Sequence, residues 1–441
     1  MNKNKKSLIL FLSCFFCYNG QVSATLIQCD IAAPIGVLIN AENGKILFSK
    51  NAESSCYPAS TTKLATALYV LHKTKGGLWD DKIIASSDAL GTVSSVMRRS
   101  TGKHPSYRLE FGGTHMGIKT GEELDFKTLL YGLMLPSGND AANVLAETVS
   151  DSISDFVDEL NVFLKELGCK NTNFKNPHGL PDESHTTTAY DLALMAREAL
   201  KYPLFREVVS STRFERKETN KQAASWLLQN NHLVKPGKYF YPYATGVKTG
   251  YTVKSGFTIV ASAEKGDRKL IAVVAGCDEL AKRYRSVIQL FEAAFNEPKQ
   301  TRKLLSQEHD VFHKTIEGAK ENLVAVLPED VIVSFYPSEK QEFFPRILWL
   351  NCSLPLSKGD EVGVIQLVDG DGSLIKTIPL LAAKPIHPTV MYQIEKSKQK
   401  LVLYLKAKKV YLGYCFGFML LLASFGVLYK KYRRKIKVEA R

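Results

Sequence analysis

The run from Val410 to Tyr429 carries no charged side chain. In a helix, at about 1.5 Å per residue, it reaches across the roughly 30 Å hydrocarbon core of a bilayer. Lys430, Lys431, Arg433, Arg434, Lys435 and Lys437 follow it. At the other end, Lys3, Lys5 and Lys6 precede the apolar stretch Leu8 to Cys17, and Val22-Ser23-Ala24 fits a small-residue cleavage site. That is the pattern of a secretory signal. A chain with an export signal and a terminal span is expected to fold its body on the extracytoplasmic (periplasmic) side. The basic tail then stays in the cytoplasm, giving a single pass through the cytoplasmic (inner) membrane.

The 441 residues leave room for two or three domains. The net charge of +14 is concentrated in the termini and in Lys396 to Lys409. No basic stretch is interleaved with aromatic residues as a nucleic-acid module would be, so a membrane surface, not nucleic acid, is the expected partner of that charge. Of eight cysteines, Cys14 and Cys17 leave with the signal. The other six show no metal-ligand spacing. Export permits a disulfide, and Cys29 with Cys56 is the pair considered, against the reading that all are buried apolar residues.

Between the ends the pattern changes once. Asn43-Gly44 separates two β-rich runs, Gly36 to Asn40 and Lys45 to Ser49, and predicts a hairpin. Helices are expected over Leu124 to Leu135, Ala141 to Val149, Asp155 to Leu167 and Lys282 to Phe295, and a hairpin from Phe257 to Ala263 with Leu270 to Ala275. Gly91 to Gly113 reads as a basic surface excursion. From about Glu308 short β runs separated by turns such as Asp369-Gly370-Asp371-Gly372 read as a small all-β module. The expected division is signal peptide 1–24, catalytic domain 29–298, small β-rich domain 308–388, stalk 389–409, transmembrane helix 410–429 and basic cytoplasmic tail 430–441.

Pro58-Ala59-Ser60-Thr61-Thr62-Lys63 opens an apolar helical run, which places Lys63 one turn beyond Ser60 on the same face. A serine hydroxyl needs a base to become a nucleophile, and a lysine kept neutral serves. Alone, S-x-x-K is a weak signal. Ser137-Gly138-Asn139 follows at a helix start and Lys248-Thr249-Gly250 precedes a β-rich run. Lys119-Thr120-Gly121 is a second K-T-G, read as a turn because no strand is expected after it.

The ordered set resembles that of penicillin-binding proteins and class A β-lactamases. With Asn176-Pro177-His178-Gly179-Leu180, Thr188-Ala189-Tyr190-Asp191-Leu192 and Gly246 to Thr252, residues 31–295 resemble the low-molecular-mass penicillin-binding proteins, the serine-type D-alanyl-D-alanine carboxypeptidases. The resemblance implies a mixed α/β penicilloyl-serine transferase fold, an antiparallel sheet flanked by helices. It implies hydrolysis of peptidoglycan stem peptides ending in D-Ala-D-Ala through a Ser60 acyl-enzyme, with β-lactams as covalent inhibitors. It also implies that no cofactor or metal is needed. Lys63 takes the Ser60 proton, Ser137 relays one to the leaving amine, Asn139 holds the substrate amide or the Lys63 amine, and Lys248 tunes Ser137. Lys248, Thr249, Gly250 and Tyr251 form the substrate-binding strand, and the N–H groups of Ser60 and Tyr251 form the oxyanion hole. A transpeptidase or endopeptidase acting on crosslinks, and a slowly deacylating membrane-anchored sensor of β-lactams or peptidoglycan, remain open on the same residues. The β-lactamase reading is weaker, since Val157 stands where the catalytic glutamate before Glu159-Leu160-Asn161 would be. One departure is expected: the stretch Ala275 to Asp278 lacks the family's arginine, and Arg283 or Arg285 comes only later.

Overall fold

The computed structural model describes residues 26–75, 82–97, 104–339, 342–370 and 372–439. The signal segment and Arg98, Arg99 and Lys103 lie outside them. The chain divides into one unit of Gln21–Gln300 with Phe335–Lys340, and another containing Thr301–Ser334 and the chain from Gln341 on.

The first unit is built on an antiparallel sheet of five strands: β1 (Ile35–Asn40), β2 (Ile46–Lys50), β3 (Ala244–Thr252), β4 (Gly256–Lys265) and β5 (Arg268–Cys277), in the order β2-β1-β5-β4-β3. Asn43-Gly44 turns the first hairpin, with a register shift between Leu38 and Ile39. Because side chains alternate along a strand, Val37, Ile39, Ile271 and Val273 enter one core and Leu38, Leu270, Ala272 and Val274 the other. Both faces are therefore apolar, and both are covered by helices.

One face carries α1 (Thr62–Thr74), α2 (Phe126–Met134), α3 (Asn139–Val149), α4 (Ile153–Glu166), α5 (Ala189–Ala199) and α6 (Pro203–Ser210). Every residue of α1 from Thr62 to Leu71 is buried, so α1 is an all-round core helix. The other face carries α7 (Leu280–Phe295), whose Tyr284, Leu290 and Phe291 pack on the sheet.

Two local expectations are corrected. A short strand, Glu123–Asp125, does follow the second K-T-G and pairs with Lys82–Ile84. Helix α2 therefore starts only at Phe126, capped by the Asp125 carboxylate, which accepts from Thr128 N. All six described cysteines, Cys29 and Cys56 among them, are free.

The second unit holds a five-stranded antiparallel sheet, Val311–Lys314, Leu323–Val326, Leu374–Ala382, Glu361–Val368 and Phe344–Trp349 in spatial order, around Val362, Ile365, Leu367 and Leu380. Gly372 N–H donates to the Asp369 carbonyl, the closing bond of a β-turn, and the Asp369 carboxylate accepts from Ser373 N. The segments expected as stalk and transmembrane helix are not separate elements. They form one helix, α8 (Val390–Glu439), long and apolar enough over Val390–Lys430 to cross a membrane. Alanine, leucine and lysine run through it and no proline interrupts it. Its first turn packs Tyr392 on the β core.

Candidate active site

Four segments converge at the N-terminus of α1. Ser60 sits in a 3₁₀ turn, Ala59–Thr61, that leads into α1. Ala59 is left-handed there, with φ +48°. Two glycines admit the neighbouring segments. A side chain at Gly179 would put its Cβ 1.8 Å from the Ala59 carbonyl oxygen, and one at Gly250 would lie 3.1 Å from Ser60 N. Loop 176–180 and strand β3 thus close on the Ser60 turn from two directions.

Lys63 is fully buried. Its Nζ lies 3.2 Å from Ser60 Oγ, 2.6 Å from Asn139 Oδ1 and 2.7 Å from the His178 carbonyl oxygen. The chemistry of these partners is unequal. A carbonyl oxygen accepts only, so Asn139 and His178 occupy two N–H bonds of the amine. Of these three Ser60 is the one with a proton to give, and in a neutral amine whose two N–H bonds go to the carbonyls the lone pair is what remains for it. Burial first, then the Lys248 charge, holds the Lys63 ammonium well below the ordinary lysine value of 10.5, while Asp140 works in the opposite direction. A neutral amine beside a serine hydroxyl is the arrangement a general base requires.

Asn139 is delivered by the start of α3. The Asp140 carboxylate accepts N–H bonds from Met116, Gly117, Ile118 and Ala141, fixing loop 116–118 against that helix end. Ser137 is left-handed, with φ +72°. Its Oγ is buried and has no hydrogen-bond partner among the described residues.

Strand β3 supplies Lys248, which is buried and held down at about 7 by burial and then by Arg283. Thr249 is nearly buried, and Tyr251 is exposed and stacked on Phe257 at 4.3 Å. The departure expected at the arginine is corrected here. Helix α7 turns Arg283 back under β3, where its Nη1 donates to the Gly250 carbonyl at 3.3 Å, while Arg285 is exposed. Sequence distance hid this, because only the packing of α7 on the sheet closes the gap.

Other residues take structural positions. His178 Nδ1 accepts from Leu180 N, and Nε2 meets the Tyr107 carbonyl. His232 stacks on Tyr284 at 5.5 Å. Glu159 accepts from Tyr69, Lys73 and Ser150. Lys73 is ten residues past Lys63, about 15 Å along the helix, so Glu159 is engaged at the far end of α1. Arg108 of the basic excursion pairs with Asp88 at 2.6 Å. The His178 carbonyl was missed in the sequence because a main-chain acceptor leaves no residue-type signal. Asp140 had one, as the residue after Ser-Gly-Asn.

The family model described as D-alanyl-D-alanine carboxypeptidase matches residues 21–279. A curated relative, D-alanyl-D-alanine carboxypeptidase DacF of Bacillus subtilis, is 33% identical over 354 residues, 79% of this chain and 85% of its own. DacA of Escherichia coli is 27% identical over 368 residues, 81% of this chain and 84% of its own. The crystal structure of DacD from Francisella tularensis has the same fold, with a TM-score of 0.55 at 24% identity, covering 85% of this chain and all of that one.

Proposed function

The chain belongs to the D-alanyl-D-alanine carboxypeptidase family of peptidases, and from that premise we propose how its residues divide the reaction. It is a hydrolase that removes the terminal D-alanine from stem peptides of peptidoglycan. Ser60 Oγ attacks the carbonyl carbon between the last two D-alanines while its proton passes to Lys63 Nζ. The oxyanion accepts from Ser60 N–H and Tyr251 N–H. The tetrahedral species collapses to the Ser60 ester. The departing amine takes a proton through Ser137 Oγ, the buried hydroxyl with no hydrogen-bond partner among the described residues, and Lys63, having passed its proton on, returns to its neutral form. Water, activated at the same lysine, then frees the acyl group. Lys248, Thr249 and Arg283 receive the terminal carboxylate, and Gly250 keeps β3 close to the nucleophile. Asn139 fixes the Lys63 amine.

The observation that carries this reading is the unequal set of partners around Lys63, two acceptors and one hydroxyl. A labelled penicillin should acylate Ser60, mapped by mass spectrometry, and a stem pentapeptide should release D-alanine. Label on another serine overturns the assignment of Ser60. A crosslinked product in place of the free tetrapeptide, D-alanine being released in either case, overturns carboxypeptidation in favour of transpeptidation. Helix α8 supports a membrane anchor, and the export signal read at the N-terminus supports a catalytic unit outside the cytoplasm. A chain ending at residue 388 should fractionate as soluble and the full chain with membranes; equal partitioning removes the anchor.

A further inference from the structure

His185 is almost completely buried and belongs to no motif discussed above. Its ring stacks on Phe174 at 4.8 Å. Lys175 N–H donates to its Nδ1 at 3.0 Å. A nitrogen that accepts from a backbone N–H carries no proton, so the neutral ring bears its hydrogen on Nε2. Nε2 lies 2.8 Å from Thr62 Oγ1 and donates to it. The Thr62 hydroxyl in turn donates to the Ala59 carbonyl at 2.9 Å. The bonds therefore run in one direction, from Lys175 through His185 and Thr62 to Ala59.

The end of that chain matters because the Ala59 carbonyl and the Ser60 N–H belong to one planar trans peptide group. In that plane C=O and N–H point in opposite directions. Holding the carbonyl fixes where the N–H points. A hydrogen bond received at the oxygen also polarises the amide and strengthens it as a donor. Beside the nitrogen stands Gly250, where any Cβ would come within 3.1 Å of Ser60 N. That side is kept open, and the carbonyl side is pinned.

We propose that His185, acting through Thr62, aims the Ser60 N–H that forms one half of the oxyanion hole, and is thus a positioning residue for acylation. This rests on the reading of Ser60 as nucleophile.

The test separates the two ends of the imidazole. His185→Asn retains an acceptor for Lys175 N–H and loses the donor to Thr62. His185→Gln reaches Thr62 with an amide N–H and gives up the Lys175 contact. Acylation of the full chain by a labelled penicillin is followed at increasing concentration, giving a limiting rate constant and a half-saturating concentration. His185→Asn should lower the limiting rate roughly ten- to a hundred-fold, within the range for disturbing an oxyanion donor, with the half-saturating concentration little changed. His185→Gln should stay within about threefold of the wild type on the same scale. Thr62→Val should reproduce the loss, Thr62→Ser should restore the rate, and the double variant His185→Asn with Thr62→Val should be no slower than Thr62→Val alone.

A wild-type limiting rate in Thr62→Val overturns the proposal. So does an equal fall in Thr62→Val and Thr62→Ser, or a fall confined to half-saturation. If His185→Asn does not fold, the Thr62 pair decides by the same criteria. Label appearing away from Ser60 in the wild type would instead overturn the nucleophile assignment itself. Label on Ser60 with an unaffected Thr62→Val overturns only the role of His185.

Discussion

The guanidinium of Arg283 lies 3.3 Å from the Gly250 carbonyl, beneath the strand that carries Lys248. Its Nη2 also donates to Tyr284 OH at 2.8 Å. Burial, with the Arg283 charge second, keeps Lys248 at about 7. A buried guanidinium beside a buried lysine amine, neither with a counter-charge among the described residues, makes a wall suited to a carboxylate.

Arg283→Met should therefore weaken recognition of the terminal carboxylate. Losing a hydrogen bond to a charged group, about 1.5–3 kcal/mol, corresponds to a rise of roughly ten- to a hundred-fold in KM on a pentapeptide. It should also raise the Lys248 pKa, because a repelling charge is gone. If cationic Lys248 is needed for binding, activity falls above about 7 in the wild type. That fall should move to higher pH in Arg283→Met. A pH profile of kcat/KM for both proteins checks the direction, and an unmoved alkaline limb would separate Arg283 from Lys248.

Lys248→Met should stabilise the fold at neutral pH while impairing activity. The native pKa, about 7, lies below the ordinary 10.5. Between those values the unfolded chain holds a proton that the native chain does not, so wild-type stability rises with pH across that window. Below about 7 the cost of burying the charge is fully present. Removing the ammonium should gain on the order of a few kcal/mol there, and the gain should fade as pH approaches 10.5. Melting curves at three pH values between 6 and 10 give the test. A variant less stable than the wild type at every pH contradicts it.

What the sequence made legible follows from what kind of contact each residue makes. Ser60 and Lys63 are a turn apart on one helix, so their meeting depends on local geometry alone. Ser137, Asn139 and Lys248 were found because their residue types and order are distinctive. The Asn43-Gly44 hairpin and the continuous β-rich runs of β4 and β5 were equally plain. Most of the misses depend on long-range packing. Arg283 reaches β3 only because α7 lies on the sheet. Lys63 is held by the His178 main chain, which any residue type would supply. The strand Glu123–Asp125 is too short for a periodic signal and forms only because Lys82–Ile84 lies beside it. The stalk and span merge because helix propensity continues past the charged lysines into the apolar run.

Asp140→Asn keeps the side-chain shape but leaves one acceptor oxygen where the carboxylate serves the N–H groups of residues 116, 117, 118 and 141. Stranding a buried donor costs about 1–3 kcal/mol, and the thermal midpoint should drop accordingly. The Asp140 charge also favours protonated Lys63. Its removal should lower the Lys63 pKa, and the acid limb of the acylation rate should move to lower pH. A limb that moves up, or not at all, would mean that another group controls it.

Gly179→Ala should damage acylation more than its size suggests. Gly179 has φ +89°, a region costly for a residue with a Cβ. The added methyl would sit 1.8 Å from the Ala59 oxygen, 2.5 Å from the Ala59 carbonyl carbon and 2.8 Å from Thr62 Oγ1. Those neighbours are main chain of the Ser60 turn and a hydrogen-bonded hydroxyl, so no flexible tip is available to swing away. Either the Ser60 turn shifts, or loop 176–180 does. In the second case the His178 carbonyl leaves Lys63. A displacement near 1 Å at the reacting groups can cost about a hundred-fold in rate, and overpacking should remove about 1–3 kcal/mol of stability. Gly112→Ala is the control, because nothing lies within 4 Å of a Cβ there. It should change stability by no more than about 0.5 kcal/mol and leave acylation as in the wild type. Measuring labelled-penicillin acylation and the thermal midpoint on both variants decides the matter. A Gly179→Ala protein that acylates at the wild-type rate would show that the close approach of loop 176–180 to Ala59 is not needed to set Ser60.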